Sequence, residues 1–417
     1  MVMPLDGLVW TPPGCPEPPD WRIDWPGVLA AYPWLRTLDG VPQDPAHHAE
    51  GDVLIHTRGV VEALAALTSW RELPPVWRAA LFAAALLHDI GKPRCTQVEP
   101  DGRISSPGHA RAGAAIARRL LWEEGEWGGP VPFAVRETVV GLVRLHGLPI
   151  WFLDKSDLDW SIFAASYRVP LDRLALIAEA DARGRSCADP GDLLARIDLF
   201  RETCRSLGCL DRPRAFPSDH GRVRYFRGLQ KDPGYEPWDD TWGEVVLAAG
   251  LPGAGKDFWL AETLPGLPVV SLDAIRRERG IGPEETQGGV ARVAREQARE
   301  WLRRRLPFAW NATNLTRHRR DPLIDLFLGY GARVRVVFID APPGLALQRN
   351  RERAKPVPEG VILSLAGKLE LPDLTEAHRV DFVVAGLTPD PATPPSPPGT
   401  PRRTAPSSVP GSQERTP

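Results

Sequence analysis

The segment 245–257 constrains the fold of this chain more than any other stretch; it reads Val-Val-Leu-Ala-Ala-Gly-Leu-Pro-Gly-Ala-Gly-Lys-Asp. An apolar run ends in a glycine-rich turn, and an amphipathic segment of helical type follows it. This order is typical of a phosphate-binding loop, in which glycines let successive backbone N–H groups point at a phosphate chain. The helix that follows presents its positive end to the same anion. The alternative is an ordinary glycine turn after a strand, which the context and spacing disfavour.

The loop therefore predicts a nucleotide site. Its cofactor-binding residues are expected to be Gly250, Gly253, Ala254, Gly255, Lys256 and Asp257. Lys256 can reach the outer phosphates as a compact point charge. Asp257 stands where a hydroxyl residue normally contacts Mg²⁺, which is a departure from the pattern G-x-x-x-x-G-K-[ST]. A carboxylate can bind Mg²⁺ directly, but its charge repels phosphate unless the metal lies between them.

Composition sets broad limits on the class of protein. A chain of 417 residues is long enough for about two or three domains. The longest apolar run, Ala79 to Leu87, is far shorter than the roughly 20 residues of a membrane span, so no membrane contact is expected. The five cysteines form no C-x-x-C pair, which indicates reduced thiols and a cytoplasmic protein. The net charge of -2 identifies no partner, and nothing in the sequence indicates the oligomeric state.

The pattern of apolar residues changes along the chain, and these changes predict its domains. Apolar residues recur at helical spacing in the front half, whereas short apolar runs alternate with helical segments in the back half. We therefore expect an all-helical bundle followed by a domain with a parallel sheet and helices on both faces. The predicted regions are a proline- and tryptophan-rich arm (1–49), the helical domain (50–207), a linker (208–243), the α/β domain (244–386) and a disordered Pro/Ser/Thr tail (387–417).

Five strands are predicted in the back half, and polar residues follow several of them. The strand candidates are Val245–Ala249, Leu267–Leu272, Phe308–Asn311, Val334–Ile339 and Phe382–Val384. Ligands of open parallel sheets bind at the carboxyl ends of the strands. Those ends carry Gly250, Asp273, Asn311 and Asp340.

Polar residues at helix ends interrupt the apolar pattern of the front half. They are His56, His88, Asp89, His109, His146 and Asp181. Each histidine alone is explained by a hydrogen-bonded helix end, but the ordered set predicts one or two divalent ions. Asp89 could bridge to a second ion held by His109 and His146, and two ions about 3.5–4 Å apart would hold a phosphate and activate water. Lys92 would lie beside the metals and could hold a phosphate oxygen. The pair His47-His48 could bind a metal, but a polar loop is favoured because adjacent residues face apart on a helix.

This set resembles the HD phosphohydrolase superfamily. The order His56, His88-Asp89, His109, His146, Asp181 is similar to that of HD domains attached to some bacterial tRNA nucleotidyltransferases. The resemblance spans roughly residues 52–185. It implies metal-dependent phosphomonoesterase and cyclic phosphodiesterase chemistry, with a transition metal such as Mn²⁺, Ni²⁺ or Co²⁺.

Charged residues of the back half suggest phosphoryl transfer. Asp273 follows a predicted strand and could take the proton from an attacking hydroxyl, or it could cap the helix that begins there. Arg349 and Arg353 share a helix face, four residues apart. They could close over a transferring phosphoryl group, or they could form a solvated basic face.

These pieces resemble the kinase domain of polynucleotide 5′-kinases. The matching stretches are 250–257, 271–276, 311–314 with Arg317, and Arg349-x-x-x-Arg353. The resemblance implies that Asp273 is the general base on a 5′-hydroxyl and that Arg349 and Arg353 contact the donor phosphates. It implies a substrate-binding role for Arg276, Asn311, Asn314 and Arg317. The joined arrangement is similar to the bacterial HD-domain polynucleotide kinases of nucleic-acid end healing.

The expected function is therefore that of a bifunctional end-healing enzyme. One site would phosphorylate 5′-hydroxyl ends of RNA or DNA from ATP or GTP with Mg²⁺, and the other would remove 2′,3′-cyclic, 2′- or 3′-phosphates. One alternative is a nucleoside-type small-molecule kinase fused to an HD nucleotide phosphohydrolase. Another is a nucleotide-dependent binding module without turnover, which only Asp257 supports.

Overall fold

The computed structural model describes residues 3–123, 125–187, 190–280, 288–353 and 356–384. The tail predicted over 387–417 lies outside these residues. Within them the chain forms a helical domain followed by a domain built on a parallel sheet. Among the described helices, none combines the length and apolar character that crossing a bilayer requires.

The front part of the chain is almost entirely helical. Its described α-helices are α1 (Trp25–Ala31), α2 (Val53–Ala66), α3 (Thr68–Arg71), α4 (Pro75–Leu87), α5 (Lys92–Cys95), α6 (His109–Trp122), α7 (Phe133–Leu145), α8 (Leu148–Trp151), α9 (Leu158–Ser166), α10 (Leu171–Arg183), α11 (Pro190–Ser206) and α12 (Asp219–Phe226). Two 3₁₀ turns cover Pro33–Leu38 and Phe152–Asp154. A short antiparallel hairpin of β1 (Gln97–Val98) and β2 (Ile104–Ser105) follows α5, and the sequence pattern did not predict it.

Helix α4 forms the centre of this domain. It is apolar on every face and buried from Val76 to Leu87 apart from Arg78, as expected of a helix surrounded by others. Helices α2, α7 and α10 pack around it. His88 and Asp89, which directly follow α4, are therefore buried in the middle of the domain.

The back part contains five parallel strands in the order β4-β5-β3-β6-β7. They are β3 (Glu244–Ala249), β4 (Val269–Ser271), β5 (Phe308–Asn311), β6 (Arg333–Asp340) and β7 (Arg379–Val384). The helices described between them are α13 (Lys256–Thr263), α14 (Leu272–Arg279), α15 (Gly288–Arg303), α16 (Arg317–Gly329), α17 (Pro343–Arg351) and α18 (Glu359–Ala366). The predicted fold class, a helical domain followed by a parallel α/β domain, is confirmed.

Buried ion pairs join the two parts. Arg136 of α7 donates through Nη2 to Asp340 Oδ1 at the end of β6, at 3.0 Å. Its Nε donates to Glu137, which also pairs with Arg118. Arg118 in turn donates to the carbonyl oxygen of Leu369 at 2.7 Å. The helical domain and the sheet domain therefore share a packed, charged boundary.

Candidate active sites

The helical domain brings all six predicted metal ligands together. They are His56, His88, Asp89, His109, His146 and Asp181. They lie on α2, at the end of α4, at the start of α6, at the end of α7 and on α10. Ligand atoms of His56, His88 and Asp181 lie within 4.8 Å of one another, and so do those of Asp89, His109 and His146.

Asp89 lies between the two groups. Its Oδ2 is 3.2 Å from His88 Nε2 and 3.7 Å from His56 Nε2. Its Oδ1 is 3.5 Å from His109 Nε2 and 4.0 Å from His146 Nε2. One carboxylate thus faces both sets of imidazoles, which is the arrangement that a bridged pair of divalent ions requires.

The imidazole rings are oriented by their other nitrogen. The Nδ1 atoms of His88, His109 and His146 each lie 2.8 Å from a backbone carbonyl oxygen three residues earlier. An Nδ1–H that donates to a carbonyl leaves Nε2 free to bind a metal. For His56 the corresponding partner is Glu50, whose Oε1 lies 2.9 Å from Nδ1.

Glu50 and His48 were not among the predicted site residues. Glu50 Oε1 lies 2.8 Å from His48 Nδ1, and its Oε2 accepts from the backbone N–H of Ser186 at 2.8 Å. His48 also lines the cavity of about 690 Å³ that opens onto the metal ligands. His47 and His48 lie in a loop, as expected, and His48 also forms a group of potential metal-ligand atoms with Glu50 and His56.

Two cations neutralise the carboxylates. Lys92 Nζ lies 2.8 Å from Asp89 Oδ2, and Arg185 donates to both oxygens of Asp181 at 2.9 and 2.6 Å. Burial alone would raise the pKa of Asp89, but Lys92 and His88 outweigh it and hold that pKa well below its usual value. Burial would also raise the pKa of Asp181, but Arg185 holds that pKa well below its usual value. Both carboxylates are therefore ionised at neutral pH, and the donor set fits divalent ions.

The sheet domain presents the glycine-rich loop between β3 and α13. Gly250, Gly253 and Gly255 have φ values of 148°, 81° and 102°, which side chains rarely tolerate. A Cβ on Gly253 would lie 2.2 Å from the carbonyl oxygen of Ala346. The loop thus has the backbone of a phosphate cradle, packed too closely to accept larger residues.

Lys256 and Asp257 lie at the start of α13. Lys256 Nζ donates to the carbonyl oxygens of Gly250 and Leu251 at 3.0 and 2.9 Å. Burial lowers the pKa of Lys256 to about 8, although Asp257 and Asp273 oppose the shift. Asp257 Oδ1 accepts from Asn311 Nδ2 at 2.6 Å, so the carboxylate at the unusual position faces the end of β5.

Asp273 does not cap its helix. The cap of α14 is Ser271, whose Oγ accepts from the backbone N–H of Ala274 at 3.2 Å, and Asp273 lies in the first turn. Its carboxylate instead pairs with Arg276 and, at 3.4 Å, with Arg353. The alternative reading of Asp273 as a helix cap is therefore wrong.

The two predicted arginines, Arg349 and Arg353, lie beside the loop and Asp273. Arg349 Nη1 lies 3.4 Å from the carbonyl oxygen of Ala254 in the loop. Arg353, four residues after Arg349, lies 3.4 Å from Asp273. The charges of Asp273 and Arg353 shift the pKa of Lys256 in opposite directions. These side chains form one cluster beside the phosphate loop.

Two predicted substrate-binding residues lie elsewhere. Asn314 Nδ2 donates to the carbonyl oxygen of Ala248 at 2.7 Å and so ties its loop to β3. Arg317 Nη1 donates to Thr375 Oγ1 at 2.9 Å, and its Nε lies 3.6 Å from Asp321. The structure does not bring either side chain to the Lys256–Asp273 cluster, because both are held by polar groups of their own domain.

Comparison with known families supports the two-part architecture. The model of the HD domain family matches residues 53–183, and that of an AAA domain family matches residues 245–372. The chain is thus an HD domain followed by a P-loop kinase-like domain. The matches and the site geometry support an enzyme that binds a divalent metal and a nucleotide.

Curated relatives are similar over part of the chain. A CC-adding tRNA nucleotidyltransferase of Thermus thermophilus is 37% identical over 161 residues, which are 36% of this chain and 33% of that protein. A multifunctional CCA protein of Halorhodospira halophila is 44% identical over 121 residues, 29% of this chain and 25% of that protein. An A-adding tRNA nucleotidyltransferase of Deinococcus radiodurans is 42% identical over 173 residues, 40% and 36% of the two chains. The chain spans only about a third of the length of these relatives.

Among solved structures, a putative kinase from Chloroflexus aurantiacus has a TM-score of 0.29 at 15% identity. The aligned region covers 35% of this chain and 86% of the chain of that kinase. A gluconokinase from Sinorhizobium meliloti has a TM-score of 0.27 at 20% identity, with 36% and 86% coverage.

Proposed function

We propose that this protein heals both kinds of broken nucleic-acid end. The HD domain removes a 2′,3′-cyclic, 2′- or 3′-phosphate, and the kinase-like domain phosphorylates a 5′-hydroxyl. The supporting observation is that two separate clusters of charged and metal-ligating side chains, the Asp89-centred set and the Lys256–Asp273 cluster, lie in one chain. Two of the curated relatives are named as tRNA nucleotidyltransferases, which favours a nucleic-acid end as the shared substrate.

In the HD domain, the residues of the chain bind and orient. His56, His88 and Asp181 would hold one divalent ion and His109 and His146 a second, with Asp89 shared. Such a pair polarises a phosphate and lowers the pKa of bound water. Lys92, whose Nζ lies at the cavity, supplies a positive charge to a non-bridging phosphate oxygen.

In the kinase-like domain, Asp273 accepts the proton of the 5′-hydroxyl as the hydroxyl oxygen bonds to the terminal phosphorus of a nucleoside triphosphate. The bond from that phosphorus to the bridging oxygen breaks, and the diphosphate leaves. Lys256, Arg349 and Arg353 stabilise the negative charge of the transferring group. Arg276, which pairs with Asp273, would bind the acceptor phosphate. Asp257, whose Oδ1 accepts from Asn311 Nδ2, would help to hold the Mg²⁺ of the nucleotide.

The kinase is tested by label transfer from γ-labelled ATP or GTP to a 5′-hydroxyl oligonucleotide, with a mononucleoside as the competing acceptor. We expect transfer to the oligonucleotide and a loss of about 10²–10⁴-fold in Asp273→Asn. Glu278→Gln, an exposed acid on the same helix, is the matched control. Preference for the mononucleoside would instead show a small-molecule kinase.

The phosphatase is tested by release of phosphate from oligonucleotides with 3′-phosphate or 2′,3′-cyclic phosphate ends in the presence of Mn²⁺, Ni²⁺ or Co²⁺. His88→Ala should abolish release and leave label transfer intact, whereas Asp273→Asn should do the reverse. If either substitution removes both activities from a folded protein, the two sites are not independent.

A further inference from the structure

A second large cavity lies at the boundary between the HD domain and the kinase-like domain. Its volume is about 760 Å³, within the roughly 300–1,000 Å³ typical of ligand sites. Helices α6 and α7 contribute one wall, and residues 367–373 contribute the wall on the kinase-like side. None of the described residues of the phosphate loop 250–257 lines it, so this boundary cavity is distinct from the nucleotide site.

The boundary cavity adjoins the metal-binding cavity. Arg144 and Arg168 line both of them. Arg144 precedes the metal ligand His146 by two positions at the end of α7. Arg144 and Arg168 therefore stand where the two cavities meet, beside the predicted metal ligands.

Positive charge exceeds negative charge in the lining. Arg111 pairs with Glu370 at 2.9 Å, and Arg168 pairs with Asp373 at 2.8 Å. The other two acidic residues of the lining also have arginine partners. Arg144 and Lys368, one on each wall, form no side-chain hydrogen bond or ion pair with any described residue. Two cations facing a solvent-filled space favour phosphate as the occupant.

Much of the remaining lining is apolar. Ala115, Val140, Leu371 and Phe382 are among its residues. Single-stranded nucleic acid is held by basic groups along its backbone together with apolar and aromatic surfaces under its bases. The mixture of unpaired cations and apolar wall fits several linked nucleotides better than it fits free phosphate.

We propose that the boundary cavity binds the nucleotides that precede the end held at the metal ligands. The substrate of the HD domain is then a single-stranded polynucleotide and not a mononucleotide. This inference rests on the proposed phosphatase function, because it assigns the strand that leads into that site.

The test compares two substrates of the full-length protein with Mn²⁺. One is an RNA of about ten nucleotides with a 2′,3′-cyclic phosphate end, and the other is cytidine 2′,3′-cyclic phosphate. Lys368→Gln should raise KM for the RNA about fivefold, because an exposed ionic contact is worth about 1 kcal/mol. It should not change KM for the mononucleotide, which does not reach Lys368. Lys231→Gln, an exposed lysine outside the cavity, is the matched control.

A binding measurement separates this inference from the proposed function. Fluorescence anisotropy with a 3′-hydroxyl oligonucleotide, which holds no phosphate to remove, should show weaker binding in Lys368→Gln and in Arg144→Gln. If neither substrate is hydrolysed, the phosphatase proposal fails and the binding result still decides the role of the cavity. Equal effects of Lys368→Gln and Lys231→Gln, or equal KM changes for both substrates, would overturn the inference.

Discussion

The metal-binding site and the phosphate loop differ in how their side chains are held. His56, His88 and Asp181 are at most 1% exposed, and each imidazole is fixed by a second hydrogen bond or ion pair. At the loop, the Asp273 side chain is 57% exposed and is held by two arginines at the surface. The first site is shaped by helix packing, whereas the second depends on charges that a nucleotide would rearrange. The two sites should therefore respond differently to substitution and to pH.

The largest effect is expected for Asp89→Ala. The substitution removes the carboxylate that faces both ligand groups, and loss of two-ion stabilisation of about 6 kcal/mol corresponds to about 10⁴-fold in rate. The measurement is phosphate release from a 3′-phosphorylated oligonucleotide, with label transfer as the reference. Asp101→Ala, an exposed aspartate of the same domain, is the control. Hydrolysis within tenfold of wild type would show that Asp89 does not bridge metals.

A smaller effect, on both sites together, is expected for Arg136→Met. It leaves Glu137 and Asp340 buried without this partner, which costs about 3–5 kcal/mol of unfolding free energy. Urea unfolding followed by both activities should show that they are lost at the same, lowered urea concentration. Arg119→Met, whose pair with Glu123 is exposed, should cost less than about 1 kcal/mol. Loss of one activity well before the other would contradict a shared boundary.

Glu50→Gln tests the orientation of His56. Loss of an outer partner of a ligating imidazole typically lowers metal affinity about 10–100-fold. Titration of the metal-free protein with Mn²⁺ should show that decrease, and nucleotide affinity should not change. The exposed Glu72→Gln serves as the control. An unchanged Mn²⁺ affinity would mean that the His48–Glu50–His56 contacts are structural only.

The smallest effect concerns pH at the phosphate loop. Because burial lowers the pKa of Lys256 to about 8, its positive charge is present below pH 8 and is lost above it in the free protein. Nucleotide affinity should therefore fall by up to about tenfold per pH unit above pH 8. Binding measured from pH 7 to 9.5 should show this slope, and Lys256→Met should lack it. A flat profile in the wild type would contradict the assignment.

Much of the fold followed from local patterns in the sequence. The apolar periodicity of the front half and the alternation of the back half predicted the helical and parallel α/β parts, and Phe308–Asn311 has the predicted bounds. The six predicted metal ligands stand near helix ends, where a polar residue interrupts the apolar pattern of the sequence. The β1–β2 hairpin was not predicted, since each strand is only two residues long.

Contacts between distant segments could not be predicted in this way. Asp340 was expected only as a polar strand end, yet it pairs with Arg136, 204 positions away. Arg317 matched a kinase motif, but its guanidinium contacts Thr375 because segment 370–375 packs beside α16. Glu50 precedes α2 in a loop with no periodicity, so only the folded structure reveals its contact with His56.

We propose that the two sites act independently on the two kinds of nucleic-acid end. The most direct measurement uses one oligonucleotide with a 5′-hydroxyl and a 2′,3′-cyclic phosphate, incubated with the protein, ATP, Mg²⁺ and Mn²⁺ and analysed by mass spectrometry. We expect a product with a 5′-phosphate and a 3′-terminal hydroxyl, with Asp273→Asn blocking only the first change and His88→Ala only the second. Recovery of the oligonucleotide with both ends unaltered would contradict the claim.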